Sequence, residues 1–594
     1  MAKNLMTGNE AIARGLYEAG VAFASAYPGT PSTEIMENVA ENYKDTITCE
    51  WAPNEKVAFE AAVGASIVGG RSFAAMKHVG LNVAADPLLT FAYTGVNGGM
   101  CFVSADDPGL HSSQNEQDNR YYARMGKIAM LEPSDSQEAK DMAAFGYELS
   151  EQFDTPVMIR TTTRVNHSKS LVEFGEPKAP AKREYVKNRA KFDPVPAMAA
   201  GMHVRVEERW AKLKAYTEEC PFNREEWHTD EVGIVASGIG YQYARETFGD
   251  KASYYKCGMT SPLPVESIRA FSKKVKKLYV VEELEPYMED QLHAAGIECV
   301  GKELIPNIGE LNPDIVRKAL TGEEAKVFDY DKGVVPGRPP MLCAGCPHVG
   351  LFYELGKMKN VIAIGDIGCY ALSGNPPLNA KDFALCMGAG FSMAHGAAKI
   401  MEKFGDDTKV VGVVGDSTFF HTGMNSMLDA AYNHSNVTLI VVDNRITGMT
   451  GHQDNPGSGY TITGEHAFPA DIEGVARSFG ITDIHKVNPM DLTATREALK
   501  AALDFKGPSL VITRWPCVLK RKVPEDSEFA IDRTPFVVDH DECIGCKSCM
   551  RLGCPAISYD NEKRKATIDA TACMGCGVCS QVCPKKAISR KVGA

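Results

Sequence analysis

Long apolar runs are missing from this 594-residue chain, and that absence already removes one class of protein. Its most continuous apolar stretch, 437–442, is broken by Thr438 and falls far short of the roughly 18 residues that span a bilayer, so no membrane partner is expected. An unbroken apolar leader is missing as well. Glu10, Arg14 and Glu18 interrupt the first helix-like stretch, which argues against a signal peptide and for a cytoplasmic protein. Excess positive charge is also lacking: 64 Lys and Arg against 76 Asp and Glu give a net charge of −12, which argues against nucleic acid or an anionic membrane as the main partner. There is no low-complexity tract. What is present is ordinary in amount, 44% apolar and 24% charged residues, which excludes disordered and fibrous classes. At roughly 150 residues per domain, the length predicts about four domains.

The pattern along the chain is consistent with that number. Residues 1–173 alternate helix-like and strand-like stretches, with a helix over 8–19, a strand over 21–26, the turn Tyr27-Pro28-Gly29-Thr30-Pro31-Ser32 and an Ala-rich helix over 54–68. Such alternation favours a parallel sheet. A Pro-, Lys- and Arg-rich linker is expected over 174–198, followed by an intermediate α/β domain over 199–328 with strands at 232–236 and 278–281 and no evident chemistry. A second linker, 329–340, holds three Pro and two Gly. Residues 341–525 contain two apolar strands, 410–414 and 437–442, each ending in an acidic turn, which is a βαβ pattern with its ligand side at the strand ends. The tail, 526–594, holds eight of the 18 cysteines.

That tail carries the most specific signal. Cys543, Cys546 and Cys549 precede Cys554-Pro555, and Cys573, Cys576 and Cys579 precede Cys583-Pro584. This spacing holds paired [4Fe-4S] cubanes, the fourth cysteine of each run crossing to the other cluster. The expected sets are therefore Cys543, Cys546, Cys549 and Cys583 for one cluster, and Cys573, Cys576, Cys579 and Cys554 for the other. The first run departs from the pattern by one extra residue before Cys554. Structural zinc is the alternative, but eight thiolates in this spacing favour iron. A second signal is Gly415-Asp416-Ser417 at one strand end and Asp443-Asn444-Arg445-Ile446 at the next. A carboxylate, an amide oxygen and a loop carbonyl suit Mg²⁺ shared with a diphosphate, although two strand-end turns can look the same. A third is the segment from Asn54 to Ala65, apolar but for Asn54, Glu55, Lys56 and Glu60, in which a buried carboxyl would have its pKa raised. Glu55 is the candidate and Glu60 its rival; five positions apart, they point about 140° away from each other around a helix.

The tail resembles a bacterial two-cluster ferredoxin, and Gly415-Asp416-Ser417 with Asn444 resembles the thiamin diphosphate motif, with Ser417 in place of the usual second glycine. Together with the pyrimidine-type helix, the chain resembles the thiamin-dependent 2-oxoacid:ferredoxin oxidoreductases along nearly its whole length. The segments Tyr27 to Ser32, Asp106 to Arg120 and Gly415 to His421 look like the large (α) subunit of the indolepyruvate branch. The resemblance implies a fold of two parallel-sheet thiamin domains, an intermediate α/β domain and a ferredoxin-like domain. It makes Glu55 the activator of the cofactor, places Thr30, Gly415 and Ser417 near it, and makes Asp416, Asn444 and the Ile446 carbonyl its Mg²⁺ ligands. It implies a third [4Fe-4S] cluster beside the thiamin, held by Cys343, Cys346, Cys369 and Cys517. Cys49, Cys101, Cys220, Cys257, Cys299 and Cys386 are expected as buried core thiols.

His421, His111, Gln114, Asn115 and Arg120 are polar residues of loops expected near the site. Arg120 is the expected clamp for a 2-oxoacid carboxylate, since a guanidinium matches it with two parallel bonds. The implied reaction is oxidative decarboxylation of an aryl 2-oxoacid to the aryl-acetyl-CoA, with ferredoxin as electron acceptor. A separate small (β) subunit is the implied partner, in an assembly with two copies of each. The alternatives are another 2-oxoacid such as pyruvate or a branched-chain acid, a non-oxidative thiamin decarboxylase or carboligase, and an electron-transfer subunit with vestigial thiamin loops.

Overall fold

Parallel strands must be joined by crossovers long enough to hold a helix, and this chain supplies them twice. The computed structural model describes residues 3–326, 328–337, 339–520 and 532–591. The chain forms two units, Met1–Tyr330 and Asp331–Ala594. The first is built on a seven-stranded sheet, ordered Met259–Ser261, Ala129–Leu131, Val157–Thr162, Met100–Asp106, Ser72–Lys77, Phe23–Ala26 and Thr48–Trp51. All its pairs are parallel except that of Met259–Ser261 with Ala129–Leu131. Its central strands, Met100–Asp106 and Val157–Thr162, are buried at every position, as expected where helices cover both faces.

The packing bears on two of the expected boundaries. The intermediate segment does form its own four-stranded sheet, ordered Lys277–Val281, Val232–Ser237, Ser253–Cys257 and Arg224–Glu226. It is nevertheless not separate from the first domain, because Met259–Ser261 adds a strand to the seven-stranded sheet, and Phe59, Phe102 and Met158 share a core with Tyr255, Phe271 and Leu292. The 174–198 stretch lies against the first sheet domain. Arg183 N donates to the Gly69 carbonyl at 2.9 Å, and the helix Pro196–Tyr216 begins inside it.

The second unit has a five-stranded parallel sheet, ordered Val361–Ile364, Lys409–Gly415, Thr438–Asp443, Ser509–Arg514 and Asp483–Val487. Its tail adds two small antiparallel pairs, Phe536–Val538 with Ile588–Arg590 and Ile557–Asp560 with Lys565–Ile568. Leu552, Val578 and Ile588 of the tail join a core with Leu492, Leu499 and Leu503 of the sheet domain, and Gln581 bridges the Leu492 amide (3.0 Å) and the Met490 carbonyl (2.7 Å). The expected boundary at 525/526 lies outside the described residues. No helix among the described residues is long and apolar enough to cross a membrane.

Candidate functional site

In the first unit, polar residues gather at the carboxyl ends of the parallel strands, where open α/β sheets bind ligands. The helix Glu55–Ile67 starts there because Asn54 caps it, its Oδ1 accepting from Val57 N at 2.9 Å. Glu55, Ala58, Phe59 and Ala62 form its buried face. Glu55 is 5% exposed, whereas the Glu60 side chain is 47% exposed and paired with Lys56. The two carboxylates thus occupy opposite environments. Gly80 lies close against Glu55: a Cβ there would stand 2.6 Å from Glu55 Oε1, so the carboxyl would have to shift. Thr30 follows the strand Phe23–Ala26, and Ser112 Oγ lies 3.5 Å from its carbonyl. Asp107 pins the facing loop by accepting from Ser112 N (2.8 Å), Ser113 Oγ (2.7 Å) and Thr163 Oγ1 (2.7 Å).

Arg120 requires a correction, because the structure does not leave it free for a substrate. It is fully buried and donates to Asp118 Oδ1 (2.9 Å), Glu282 Oε2 (2.6 Å) and the carbonyls of Glu283 (2.9 Å) and Glu285 (3.0 Å). Its guanidinium is spent on tying the 106–120 loop to the segment after the strand Lys277–Val281. Of the other loop residues, His111 Nε2 lies 3.2 Å from Glu310 Oε2 at the surface, Asn115 Oδ1 lies 3.0 Å from His78 Nε2, and Gln114 is exposed in the same loop.

In the second unit, the strands Lys409–Gly415 and Thr438–Asp443 are parallel neighbours with Gly415 opposite Val442, so Asp416 and Asn444 emerge side by side. Asp416 is buried and accepts from Asn455 Nδ2 at 3.1 Å. Burial pushes its carboxyl up to about 7, and the neighbouring Asp443 carboxylate adds to the rise. Asp443 is held by Arg514 at 2.6 Å. Asn444 Oδ1 accepts from Ile446 N at 3.2 Å, and Ser417 Oγ lies 2.8 Å from Thr447 Oγ1. A buried carboxylate short of positive charge, beside an amide oxygen and a strand-end carbonyl, is a donor set of hard oxygens that fits Mg²⁺ with a diphosphate. Lys520, also buried, donates to the Arg445 carbonyl at 2.7 Å and adds a cation to the same neighbourhood. His421 is buried on the turn Phe419–Gly423 just beyond Asp416, and it faces Asp366, which caps the helix Ala389–Phe404 through the amides of Gly388 (2.9 Å) and Gly390 (2.7 Å).

The tail cysteines line two separate cavities. One is bounded by Cys543, Cys546, Cys549 and Cys583, the other by Cys554, Cys573, Cys576 and Cys579, so the fourth cysteine of each run stands with the other run. Cys343 and Cys346 line the second cavity too. Burial raises the thiols of Cys346 and Cys369, the latter to about 11, and the nearby cysteines of the set Cys343, Cys346, Cys369 and Cys517 raise them further. Thiols crowded in this way become thiolates only when a metal centre compensates the charge, and four of them suit a cubane. The set adjoins the Mg²⁺-type residues: Cys517 N donates to the Asn444 carbonyl at 3.0 Å, and a Cβ on Gly448 would lie 3.5 Å from Cys369 Sγ and 3.8 Å from Asn444 Nδ2. Of the six expected core thiols, Cys49, Cys101, Cys220 and Cys257 are buried, but Cys299 is only half-buried and Cys386 is exposed, on the loop just before Gly388. Sequence reasoning missed Gly80, Asp366, Asn455 and Lys520, none of which lies in a local motif.

Three family models match the chain: "Pyruvate flavodoxin/ferredoxin oxidoreductase, thiamine diP-bdg" over residues 14–222, "Thiamine pyrophosphate enzyme, C-terminal TPP binding domain" over 366–513, and "4Fe-4S dicluster domain" over 536–584. Indolepyruvate oxidoreductase subunit IorA of Archaeoglobus fulgidus is 38% identical over 99% of this chain and 97% of its own. The protein of the same name from Pyrococcus horikoshii is 40% identical over 98% of this chain and 96% of its own. A 2-oxoglutarate synthase subunit KorA of Methanothermobacter thermautotrophicus is 27% identical over 51% of this chain and 93% of its own. With identity near 40% sustained from end to end of both partners, the chain belongs to the indolepyruvate oxidoreductase subunit IorA family, within the thiamin diphosphate-dependent, iron–sulfur 2-oxoacid:ferredoxin oxidoreductases.

Proposed function

We propose that this chain is the large subunit of an enzyme that oxidatively decarboxylates aryl 2-oxoacids, indolepyruvate and its relatives, to aryl-acetyl-CoA while reducing ferredoxin, together with a small subunit and in two copies of each. Thiamin diphosphate supplies, when bound, the electron sink that lets a 2-oxoacid lose CO2. In this reading Glu55, buried at the start of the helix Glu55–Ile67, would hold a proton toward the cofactor's aminopyrimidine, and Thr30 would lie near the cofactor. Asp416, Asn444 and the Ile446 carbonyl would hold Mg²⁺, Gly415 and Ser417 would flank the diphosphate, and His421 stands on the next turn. The tail sets would hold two [4Fe-4S] clusters, and Cys343, Cys346, Cys369 and Cys517 a third.

The observation that carries the reading is that this last set adjoins Asn444 on one side and the Cys554-containing cavity on the other. A non-oxidative decarboxylase has no use for cysteines arranged in that way. The test is anaerobic co-purification with the small subunit, followed by a 2-oxoacid panel with product analysis. Acyl-CoA formed with reduced ferredoxin, best with aryl substrates, is the expected result; an aldehyde product, or no turnover, overturns it.

A further inference from the structure

With Arg120 spent inside the first unit, a substrate carboxylate arriving near Glu55 lacks the cation that sequence reasoning assigned to it. It would also meet the carboxyl groups of Glu55 and Asp107. The cations at this edge of the sheet are mostly committed: Arg160 to Asp106 (2.9 Å) and Glu132 (3.0 Å), and Arg164 to Glu310. Lys77 is different. It is the last residue of the strand Ser72–Lys77, so it emerges at the same carboxyl edge as Thr30 and Asp107. Its ammonium donates to the Ser112 carbonyl at 2.9 Å, a neutral acceptor, and a lysine has three donors.

The side chain is also held in place before any ligand arrives. Its stem runs along Gly29, where a Cβ would stand 3.2 Å from Lys77 Cγ and 3.4 Å from Cδ. The next residue, His78, is fully buried, with its ring nitrogen 3.0 Å from Asn115 Oδ1, so the backbone carrying Lys77 cannot swing. Burial pulls the ammonium below the ordinary lysine range while Asp107 and Glu55 oppose that fall, which places all three groups within electrostatic reach of one another. A half-buried ammonium of this kind gains most from an anionic acceptor, and a carboxylate is one.

We propose that Lys77 anchors the carboxylate of the 2-oxoacid, taking the role that Arg120 cannot fill. The inference rests on the reading of Glu55 as the pyrimidine site. It also accounts for the glycine at position 29, which lies against the Lys77 stem, and for the Ser112 carbonyl, which holds the ammonium.

The test uses the anaerobically purified complex with its small subunit. Lys77→Met keeps the stem and removes the charge; Lys77→Arg keeps the charge. Competitive inhibition by phenylacetate is compared with that by phenylacetamide, alongside steady-state kinetics with an aryl 2-oxoacid and fluorescence titration of thiamin diphosphate. A charged hydrogen bond of about 1.5–3 kcal/mol corresponds to a rise of about 10- to 100-fold in KM and in the phenylacetate inhibition constant for Lys77→Met. Phenylacetamide binding and thiamin diphosphate affinity should stay as in the wild type, and Lys77→Arg should recover much of the carboxylate preference. If Lys77→Met binds both inhibitors as the wild type does, or loses kcat with KM unchanged, the anchor is wrong while the proposed function stands. If the wild type itself binds neither the aryl 2-oxoacid nor phenylacetate, the substrate reading and the anchor fall together.

Discussion

Replacing Arg120 by Met should unfold the first unit more easily without weakening substrate binding. The guanidinium is fully buried and faces the carboxylates of Asp118 and Glu282 at once, with the ring of Tyr287 at 4.9 Å from its carbon. Methionine fills most of the volume but leaves two buried carboxylates without a counter-charge, and breaking a buried pair from one side costs about 3–5 kcal/mol. The loss exceeds the net worth of the pair, because it is the stranded charge that is costly. Urea unfolding of the wild-type and variant complexes under anaerobic conditions measures it. Adding Glu282→Gln to Arg120→Met should restore part of the lost stability, since it removes one of the stranded charges. KM for the 2-oxoacid should stay within about twofold of the wild type. A variant of normal stability whose KM rises tenfold or more would refute the reasoning, because the guanidinium would then have to reach the substrate.

Three further outcomes are expected. Glu55→Gln should keep thiamin diphosphate binding and lose most turnover, while Glu60→Gln, whose carboxylate is solvated and paired with Lys56, should turn over normally; the reverse would redraw the pyrimidine site around Glu60. Anaerobic protein should hold about twelve irons per chain, four per cluster, and Cys343→Ser should lower that number while the tail clusters remain; about eight irons, unchanged by the substitution, would remove the third cluster. Glu283, buried and pushed up to about 7 by burial, binds its proton more tightly folded than unfolded, so its ionisation costs stability as pH rises from about 4.5 through 7. Glu283→Gln should therefore gain on the wild type by up to about 3 kcal/mol between pH 5 and 8, read from urea midpoints at the two pH values; a constant difference would show that the carboxyl is already ionised at pH 5.

What could be read from the sequence is what chemistry confines to a short stretch. Three cysteines must be closely spaced to wrap one face of a cubane, so Cys543, Cys546 and Cys549 announce themselves. The Asp416 and Asn444 pair is legible for a related reason: both are strand-end residues of adjacent parallel strands, and each is marked by its own turn. Glu55 stands out as a carboxylate heading an apolar helix, although only the burial of Glu55 and the exposure of Glu60 separate the two. The intermediate segment, set off by two linkers, also lends a strand to the first sheet, and that strand, Met259–Ser261, has three residues and is too short to leave a pattern.

Arg120 and Lys77 show why the remainder could not be read. An arginine in a polar loop looks available, because its neighbours in sequence show only one of the acceptors that will face it, Asp118; the others are Glu282, Glu283 and Glu285, more than 160 residues away. Lysine at the end of a strand looks like solubilising charge for the same reason, and only the approach of Gly29 and Ser112 from two other loops turns it into a fixed donor with capacity to spare. Cations are interchangeable in sequence and distinguished by which carboxylates the fold brings to them. Where a buried network already holds more acidic than basic groups, as around Asp106, Asp118, Glu132, Glu282 and Glu283, any guanidinium within reach is consumed by the protein itself. The cation left over for an anionic substrate is then the one whose acceptor is a carbonyl, and that can be learned only after the acidic residues have been placed.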